Sequence, residues 1–289
     1  MWLPWTYAAA AAAMLGLLTR VSRDGRPLLR WRPLMREVAI ISALYALWIR
    51  ASDYDPVGTV GGLARGRQVA GFERAVGLLQ EGPIQRIVLP HRLLVQFSNL
   101  YYGGVHVPAM GVFLVWMFAR HRGRLAVWRT TLALTTAACL VIRYLPVAPP
   151  RFYPQMGFVD TADLYHQSVY GPPGTGVSGQ FAAMPSVHVA WAVLIGIACV
   201  RVSTSRWRWL GVLHAALTVF VVTDTANHWL LDGVAGAALL LPAFVIARRV
   251  SGDRSQRSAL PEHGDDDREA ERADGRHRVL SADASGQRA

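Results

Sequence analysis

Residues 184–200 read MPSVHVAWAVLIGIACV, an apolar run whose first five residues include a proline, a serine and a histidine. A run of this length approaches the ~20 residues with which a helix crosses a bilayer. A second histidine, His228, stands forty residues after His188, again where a polar turn meets an apolar run. Ionisable side chains at the edge of a membrane helix are costly to keep and commonly mark a functional site. The two histidines therefore indicate where helices begin and where chemistry is expected.

Apolar runs of the same kind recur along the chain. Hydrophobic residues make up 52% of the sequence and charged residues only 17%, and the apolar residues form continuous runs instead of stripes. We expect an all-α polytopic membrane helix bundle with six to seven transmembrane helices. The predicted spans are residues 3–19, 36–50, 93–119, 129–146, 184–200, 208–223 and 228–247. Within the third span, Gly103 and Gly104 predict a break.

The net charge of +11 comes from arginine, since the chain has no lysine. The arginines lie in short loops between apolar runs, which is typical of membrane topology and speaks against a nucleic-acid partner. They cluster at residues 20–36, 120–129, 201–208 and 248–249. If all seven spans cross, these clusters share the cytoplasmic side with the C-terminus. His188 and His228 then face the extracytoplasmic side of the plasma membrane.

Three regions follow from this pattern. Residues 1–69 hold N-terminal transmembrane helices and a loop, and residues 70–248 form a membrane catalytic core. Residues 249–289 lose their apolar content and predict a disordered, charged cytoplasmic tail. At the start of the core, residues 72–81 (FERAVGLLQE) predict an amphipathic helix lying at the membrane interface.

The first motif is expected to build a helix N-terminus. Pro185 suits the first turn of a helix, where its missing N–H costs nothing. The free N–H groups of such a helix start can bind an anion. Ser186 either donates to a bound phosphate or satisfies the helix start, and His188 lies within the first turns.

The second motif is expected to repeat this geometry. Asn227 is interpreted as an N-cap and His228 as the opening of the last span, while Asp224 is attributed to turn chemistry. Asp232 follows His228 by four residues, which places it on the same helical face. A carboxylate there can accept the imidazole N–H and leave the other ring nitrogen free to attack. This pair is the nucleophile half of a catalytic constellation.

Two arginines are further candidates for binding the phosphate. Arg151 and Arg143 lie near the outer end of the fourth span, and a guanidinium offers paired donors to phosphate. Phosphoryl transfer asks of a protein mainly positioning and neutralisation of charge, so no metal or cofactor is required. Arg151 as an interfacial anchor and Arg143 as a snorkelling side chain are the structural alternatives.

A headgroup pocket is a further candidate. Asn99, Tyr102 and His106 share a similar helical face. They either line a pocket for a lipid headgroup or join helices by hydrogen bonds.

These residues resemble the phosphatidic acid phosphatase type 2 superfamily. Residues 185–188 (PSVH) are similar to its second signature, and His228 with Asp232 to its third. The resemblance implies that His228 forms a phosphohistidine, that Asp232 orients it and that His188 protonates the leaving group. Further segments are similar to the inositol phosphorylceramide synthase-like branch. They are residues 181–184, residues 149–151, Glu73-Arg74 with Glu81, and Tyr102 with His106 and Pro108.

The chain departs from the superfamily at its arginines. Val221 and Val222 stand where the third signature has a Ser-Arg pair, and Phe152, not proline, follows Arg151. These departures speak against a phosphatidic acid-type pocket and are compatible with the synthase-like branch, in which an alcohol can replace water as the acceptor.

Three functional hypotheses remain open. The first is a membrane enzyme acting on a phosphorylated lipid, either a lipid phosphatase or a phosphotransferase that moves an inositol-phosphate-type headgroup to a lipid or polyol. The second is a zinc-dependent membrane hydrolase with His188, His228 and Asp232 as ligands. The third is a non-catalytic lipid transporter, although the chain has no internal repeat.

Overall fold

Helices are the main elements in the part of the chain that the structure describes, and irregular segments connect them. The computed structural model describes residues 5–21, 31–52, 61–78, 81–169 and 179–259, and within these ranges it forms no strand. The α-helices are α1 (Trp5–Val21), α2 (Arg32–Ser52), α3 (Gly62–Ala75), α4 (Glu81–Val88), α5 (Arg92–Gly104), α6 (His106–Arg120), α7 (Arg122–Ile142), α8 (Thr161–Leu164), α9 (Val187–Val202), α10 (Trp209–Asp224), α11 (Leu230–Ala238) and α12 (Leu240–Ala259). Short 3₁₀ helices cover Pro150–Phe152, Pro154–Met156 and Arg206–Arg208. The all-α prediction is confirmed.

The apolar helices fit a membrane protein, but not every one of them is long enough to cross. Arg122–Ile142 and Leu230–Ser251 are long and apolar enough, and the bent pair of α5 and α6 adds a third span if it is counted as one. The helices Thr6–Thr19 and Val187–Val202 are apolar but shorter. The described residues thus hold two to three candidate spans, and the six to seven transmembrane helices stay a prediction.

The third predicted span is broken where the glycine pair indicates. Helix α5 ends at Gly104, Val105 forms a turn, and α6 begins at His106 at an angle of 54° to α5. Glycine lowers the cost of leaving the helical conformation, which places the bend here. The bend places His106 at the first turn of α6, close to the end of α5.

The amphipathic helix expected over residues 72–81 is not formed as one element. Helix α3 ends at Ala75, and Gly77 adopts a φ of +69°. This left-handed conformation is typical of glycine and ends a helix. Helix α4 then begins at Glu81. Glu73 and Glu81, which an interfacial helix would turn toward water, are both buried.

Three apolar clusters hold the helices together. The first joins α6, α7 and α9 through residues such as Met117, Trp128 and Leu194, all buried. The second packs the segment after α7 around Trp229, whose indole N–H donates to the carbonyl of Ala148 at 2.9 Å. The third lies between α5, α9 and α10. The histidine motifs are placed where the second and third clusters meet.

Helix α11 approaches the start of α9 very closely. An added Cβ at Gly236 would collide with the backbone carbonyl of Ser186, so glycine is required at this contact. The backbone N–H of Ser186 donates in turn to the carbonyl of Asp232 at 2.9 Å. The starts of the two helices that carry the histidine motifs are therefore joined backbone to backbone.

The end of α12, from Ile246 to Ala259, belongs to a second unit of the chain. Most of the predicted charged tail, residues 260–289, lies outside the described residues.

Candidate active site

The two histidines of the motifs face each other. Nδ1 of His188 lies 3.4 Å from Nε2 of His228, and the ring centroids are 5.6 Å apart. His188 stands in the first turn of α9, whereas His228 precedes α11. Residues forty positions apart in the sequence thus form one centre.

The start of α9 differs from the prediction by one position. Ser186 is the N-cap, and its hydroxyl oxygen accepts the N–H of Val189 at 3.4 Å. Pro185 therefore precedes the cap instead of occupying the first helical position; its peptide bond with Met184 is cis. Ser186 is fully buried, and the described contact of its hydroxyl is the cap of α9.

The approach to α11 also differs from the prediction. Asn227 does not cap the helix, because Trp229 is the N-cap and α11 begins at Leu230. The backbone N–H groups of Asn227 and His228 both donate to the carbonyl of Val222, at 3.1 Å each. His228 therefore lies in the turn before α11. It is not on the same helix as Asp232, contrary to the prediction.

The nearest partner of the His228 ring is a backbone carbonyl. Nδ1 lies 2.8 Å from the carbonyl oxygen of Ala183 and 3.6 Å from Oδ2 of Asp232. A carbonyl oxygen can only accept, so Nδ1 is the donor, and in the neutral imidazole Nε2 is the nitrogen with the lone pair. Asp232 Oδ2 accepts the N–H of Trp229 at 2.8 Å. Ala183 was missed because a backbone acceptor leaves no trace in residue identity.

Arg151 is buried and attached to the turn that carries His228. Its Nη1 donates to the side-chain oxygen of Asn227, and its backbone N–H donates to the carbonyl of Ala226 at 3.0 Å. Nε lies 3.3 Å from a carboxylate oxygen of Asp160. The Arg151 guanidinium is thus buried beside the turn that carries His228, and its contact with Asn227 holds that turn.

Arg143 is placed differently. It is the C-cap of α7, where its backbone N–H donates to the carbonyl of Cys139 at 3.0 Å, and it is half-buried. Its role as a phosphate ligand or as a snorkelling side chain stays a prediction.

A third histidine belongs to the centre. The ring of His106 packs edge-on against that of His188, with centroids 4.7 Å apart, and Tyr102 lies 4.7 Å from the same ring. His106 Nδ1 lies 3.2 Å from the carbonyl of Tyr102, which makes Nδ1 the donor. Its Nε2 is buried without a hydrogen-bond partner in the described part of the chain. His106 and Tyr102 are thus brought to His188.

Asn99 points to a different neighbour. Its side-chain amide donates to the carbonyl of Thr161 at 3.0 Å and to Gln167 at 3.1 Å, and it accepts from the Thr161 hydroxyl at 2.9 Å. Its polar atoms hold α8 against α5. This agrees with the alternative of a residue that joins elements.

Two carboxyl groups that the sequence placed at the interface lie at the start of α11. Oε1 of Glu81 accepts the N–H of Leu230, and Oε1 of Glu73 accepts the N–H of Leu231, each at 2.6 Å. Burial raises the pKa of Glu73 to about 8, and the neighbouring Glu81 carboxyl adds to this shift. Burial also raises the pKa of Glu81. Gly77 is the sequence signal for this difference. It ends α3 between Glu73 and Glu81, so that both side chains can be buried.

Asp224 is more than a turn residue. It is the last residue of α10, it is buried, and its Oδ2 accepts from the Ser98 hydroxyl at 2.7 Å. The Gln85 side chain donates to the carbonyl of Asp224 at 3.1 Å and to that of Val159 at 2.9 Å. Asp224 therefore ties α4, α5 and α10 together beside the histidine turn.

The described residues offer no ligand set for a metal. No group of three His, Cys, Asp or Glu side chains among them is arranged to hold a metal ion. The geometry thus gives the zinc hypothesis no support, while two facing imidazoles beside a buried guanidinium suit reaction at an anionic centre.

The fold and the centre together define an all-α, apolar protein with paired histidines at helix starts. The chain belongs to the PAP2 superfamily, whose family model matches residues 67–246. Members of this superfamily are phosphatases, which is consistent with a phosphoester hydrolase or phosphotransferase. No curated protein and no solved structure matches the chain.

Proposed function

We propose that the protein is an integral membrane lipid phosphatase or lipid phosphotransferase that works through a phosphohistidine on His228. The observation that carries the proposal is the contact between His228 Nε2 and His188 Nδ1 at 3.4 Å. The nitrogen with the lone pair faces the second imidazole because Ala183 holds the proton-bearing nitrogen on the opposite side of the ring.

In the first half-reaction, Nε2 of His228 attacks the phosphorus of a lipid phosphoester. The N–P bond forms as the P–O bond to the leaving group breaks, and His188 delivers a proton to the departing oxygen. Arg151 and the N–H groups at the start of α9 neutralise charge on the remaining oxygens. Because phosphorus does not fit between nitrogens 3.4 Å apart, the His188 ring turns aside when the substrate enters.

In the second half-reaction, an acceptor hydroxyl gives its proton to His188 and its oxygen attacks the phosphohistidine. The N–P bond breaks and His228 is regenerated with its lone pair. Water as the acceptor gives a phosphatase. A polyol or lipid hydroxyl gives a phosphotransferase, with an inositol-phosphate-type headgroup as the transferred group.

Two features support the transferase variant. Val222 stands where the superfamily resemblance places an arginine, and its side chain is buried in the third apolar cluster. His106 Nε2 offers a buried acceptor beside His188, which suits a hydroxyl donor better than a phosphate oxygen. We therefore assign Tyr102 and His106 to a headgroup pocket and leave Asn99 as a support for it.

The proposed location is the plasma membrane, with the centre on the extracytoplasmic face and the C-terminal tail in the cytoplasm. The arginine clusters at residues 120–129 and 201–208 lie at the α6–α7 and α9–α10 connections, at the opposite ends of α7 and α9 from the histidine centre. Loops rich in arginine stay on the cytoplasmic side, so the opposite ends of α7 and α9, near the histidine centre, face outward. The catalytic core is assigned to residues 70–248.

The test is a turnover assay on purified protein with a panel of lipid phosphates, with and without added polyols and EDTA. We expect free phosphate, a phosphorylated polyol or a new phospholipid, loss of all of these products with His228→Ala, and no effect of EDTA. His91→Ala is the matched control, because His91 is exposed at the start of α5. Full turnover by His228→Ala would contradict the mechanism. Loss of turnover after EDTA treatment would instead support the zinc-dependent hydrolase.

A further inference from the structure

Three carboxyl groups converge on the start of α11. The N–H groups of Trp229, Leu230 and Leu231 donate to Asp232, Glu81 and Glu73 respectively, at 2.8, 2.6 and 2.6 Å. All three acidic residues are almost fully buried, with exposed fractions of 0% for Asp232, 1% for Glu81 and 0% for Glu73. A helix start favours negative charge, but three buried carboxylates at one helix start exceed what its partial charge of about +0.5 can balance.

The excess charge requires a proton, and two buried carboxyl oxygens accept no hydrogen bond from the described residues: Oε2 of Glu73 and Oδ1 of Asp232. The His228 imidazole lies 3.6 Å from Oδ2 of Asp232 and favours the charged form of that carboxyl, so the proton is placed on Glu73. Oε1 of Glu73 is occupied by Leu231, while Oε2 is buried and accepts no hydrogen bond from the described residues. A proton on Glu73 can be donated to the Glu81 carboxyl, because the two side chains interact by a hydrogen bond. Burial, together with the charges of Glu81 and Asp232, raises the pKa of Glu73 to about 8. Glu73 thus stays neutral up to mildly alkaline pH.

We propose that Glu73 and Glu81 are positioning residues for His228 and Asp232, a carboxyl pair that shares one proton and holds the start of α11 in place. The inference rests on the proposed function, since it concerns the placement of the nucleophile. The pair lies on α3 and α4, yet the N–H groups it binds belong to the residues directly before Asp232.

The coupling to the nucleophile runs through a short piece of backbone. His228 lies two residues before Leu230, and the carbonyl of Asp232 accepts the N–H of Ser186 at the start of α9. A shift of the first turn of α11 therefore changes both the His228 ring and its distance to His188. Displacements near 1 Å at a reacting centre cost about 100-fold in rate.

The sign of the pH dependence follows from the direction of the Glu73 shift. Its pKa in the folded protein lies above the ordinary value, so the folded state holds a proton that the unfolded chain releases at lower pH. The stabilising contribution of the neutral carboxyl is present below the ordinary value and is lost as pH rises through about 8. The titratable groups that face Glu73 are Glu81 on α4 and Asp232 on α11, and Asp232 in turn faces His228.

The test reads the proton directly and independently of turnover. Infrared difference spectra recorded across a pH titration should show a protonated carboxyl band that disappears with a midpoint near pH 8. In Glu73→Gln this transition should be absent, since the amide mimics the neutral acid. In Glu81→Gln it should move to lower pH, because the partner charge is gone. A transition unchanged in both variants overturns the shared proton.

Turnover then tests the positioning role. Glu73→Gln should keep kcat at neutral pH, whereas Glu73→Ala should lower kcat about 10- to 100-fold with little change in KM. Arg86→Gln, an exposed side chain on α4, is the matched control and should leave both constants unchanged. If Glu73→Gln and Glu73→Ala lower kcat equally, the result contradicts a positioning role for the Glu73–Glu81 pair. If the wild-type protein shows no turnover at all, the proposed function fails, while the infrared result still stands.

Discussion

The carbonyl oxygen of Ala183 lies 2.8 Å from Nδ1 of His228, closer than the nearest oxygen of Asp232 at 3.6 Å. The tautomer of the proposed nucleophile is thus fixed by the backbone just before α9, and the carboxylate supplies charge from slightly further away. In serine proteases, by contrast, an aspartate makes the direct contact to the histidine. This arrangement divides two tasks, orientation and charge, between two groups.

Asp232→Asn should therefore be less damaging than loss of the histidine. The amide oxygen can still accept the Trp229 N–H, and Ala183 still holds the tautomer, so only the charge is lost. We expect kcat to fall about 10- to 100-fold, far short of the loss in His228→Ala. The measurement is kcat and KM for both variants on one lipid phosphate. A loss as large as that of His228→Ala would show that the carboxylate, and not the carbonyl, fixes the ring.

The role of His188 is tested with the leaving group. An acid matters when the departing oxygen is a poor leaving group and matters little when it is a good one. His188→Ala should lower kcat/KM for an alkyl phosphoester by about 100-fold or more and for a nitrophenyl phosphoester by much less. Both esters are assayed with the same protein preparation. Equal losses on the two esters would assign His188 to binding instead of proton transfer.

How far the sequence predicts this centre depends on the kind of contact. His188, His228 and Asp232 are rare ionisable residues at the edges of apolar runs, and their meeting follows from helix topology. The exact helix starts do not follow, because Ser186 and Trp229 cap α9 and α11 where Pro185 and His228 were expected to open them. A cap is chosen by the packing of neighbouring elements as well as by local preference.

Glu73 and Glu81 show where sequence patterns fail. Their spacing fits the polar face of a helix, and only a left-handed Gly77 separates them into two elements. The energetic reason for their burial is a helix start supplied by residues about 150 positions later. No local window of sequence contains that partner.

His106 offers a test of the acceptor. Its Nε2 is a buried lone pair beside His188, and a hydroxyl of the acceptor or headgroup would satisfy it. His106→Phe keeps an aromatic ring at this place but removes the acceptor. We expect KM for a polyol acceptor to rise about tenfold, with a smaller effect on phosphate release to water. The measurement is the ratio of transfer to hydrolysis at several polyol concentrations. An unchanged ratio would place His106 outside the acceptor pocket.

The close contact between α9 and α11 predicts an unusual sensitivity at one glycine. A methyl group at Gly236 meets the backbone carbonyl of Ser186, which cannot move without displacing the start of α9. Gly236→Ala should destabilise the protein by about 1–3 kcal/mol and lower kcat as well, because His188 lies in the displaced turn. Gly111→Ala is the matched control: Gly111 lies within α6, and an added Cβ there meets no atom within 4 Å. It should be neutral or stabilise by up to about 1 kcal/mol. Thermal unfolding in detergent, followed together with turnover, separates the two variants, and equal unfolding temperatures for both would show that α9 and α11 are not in tight contact.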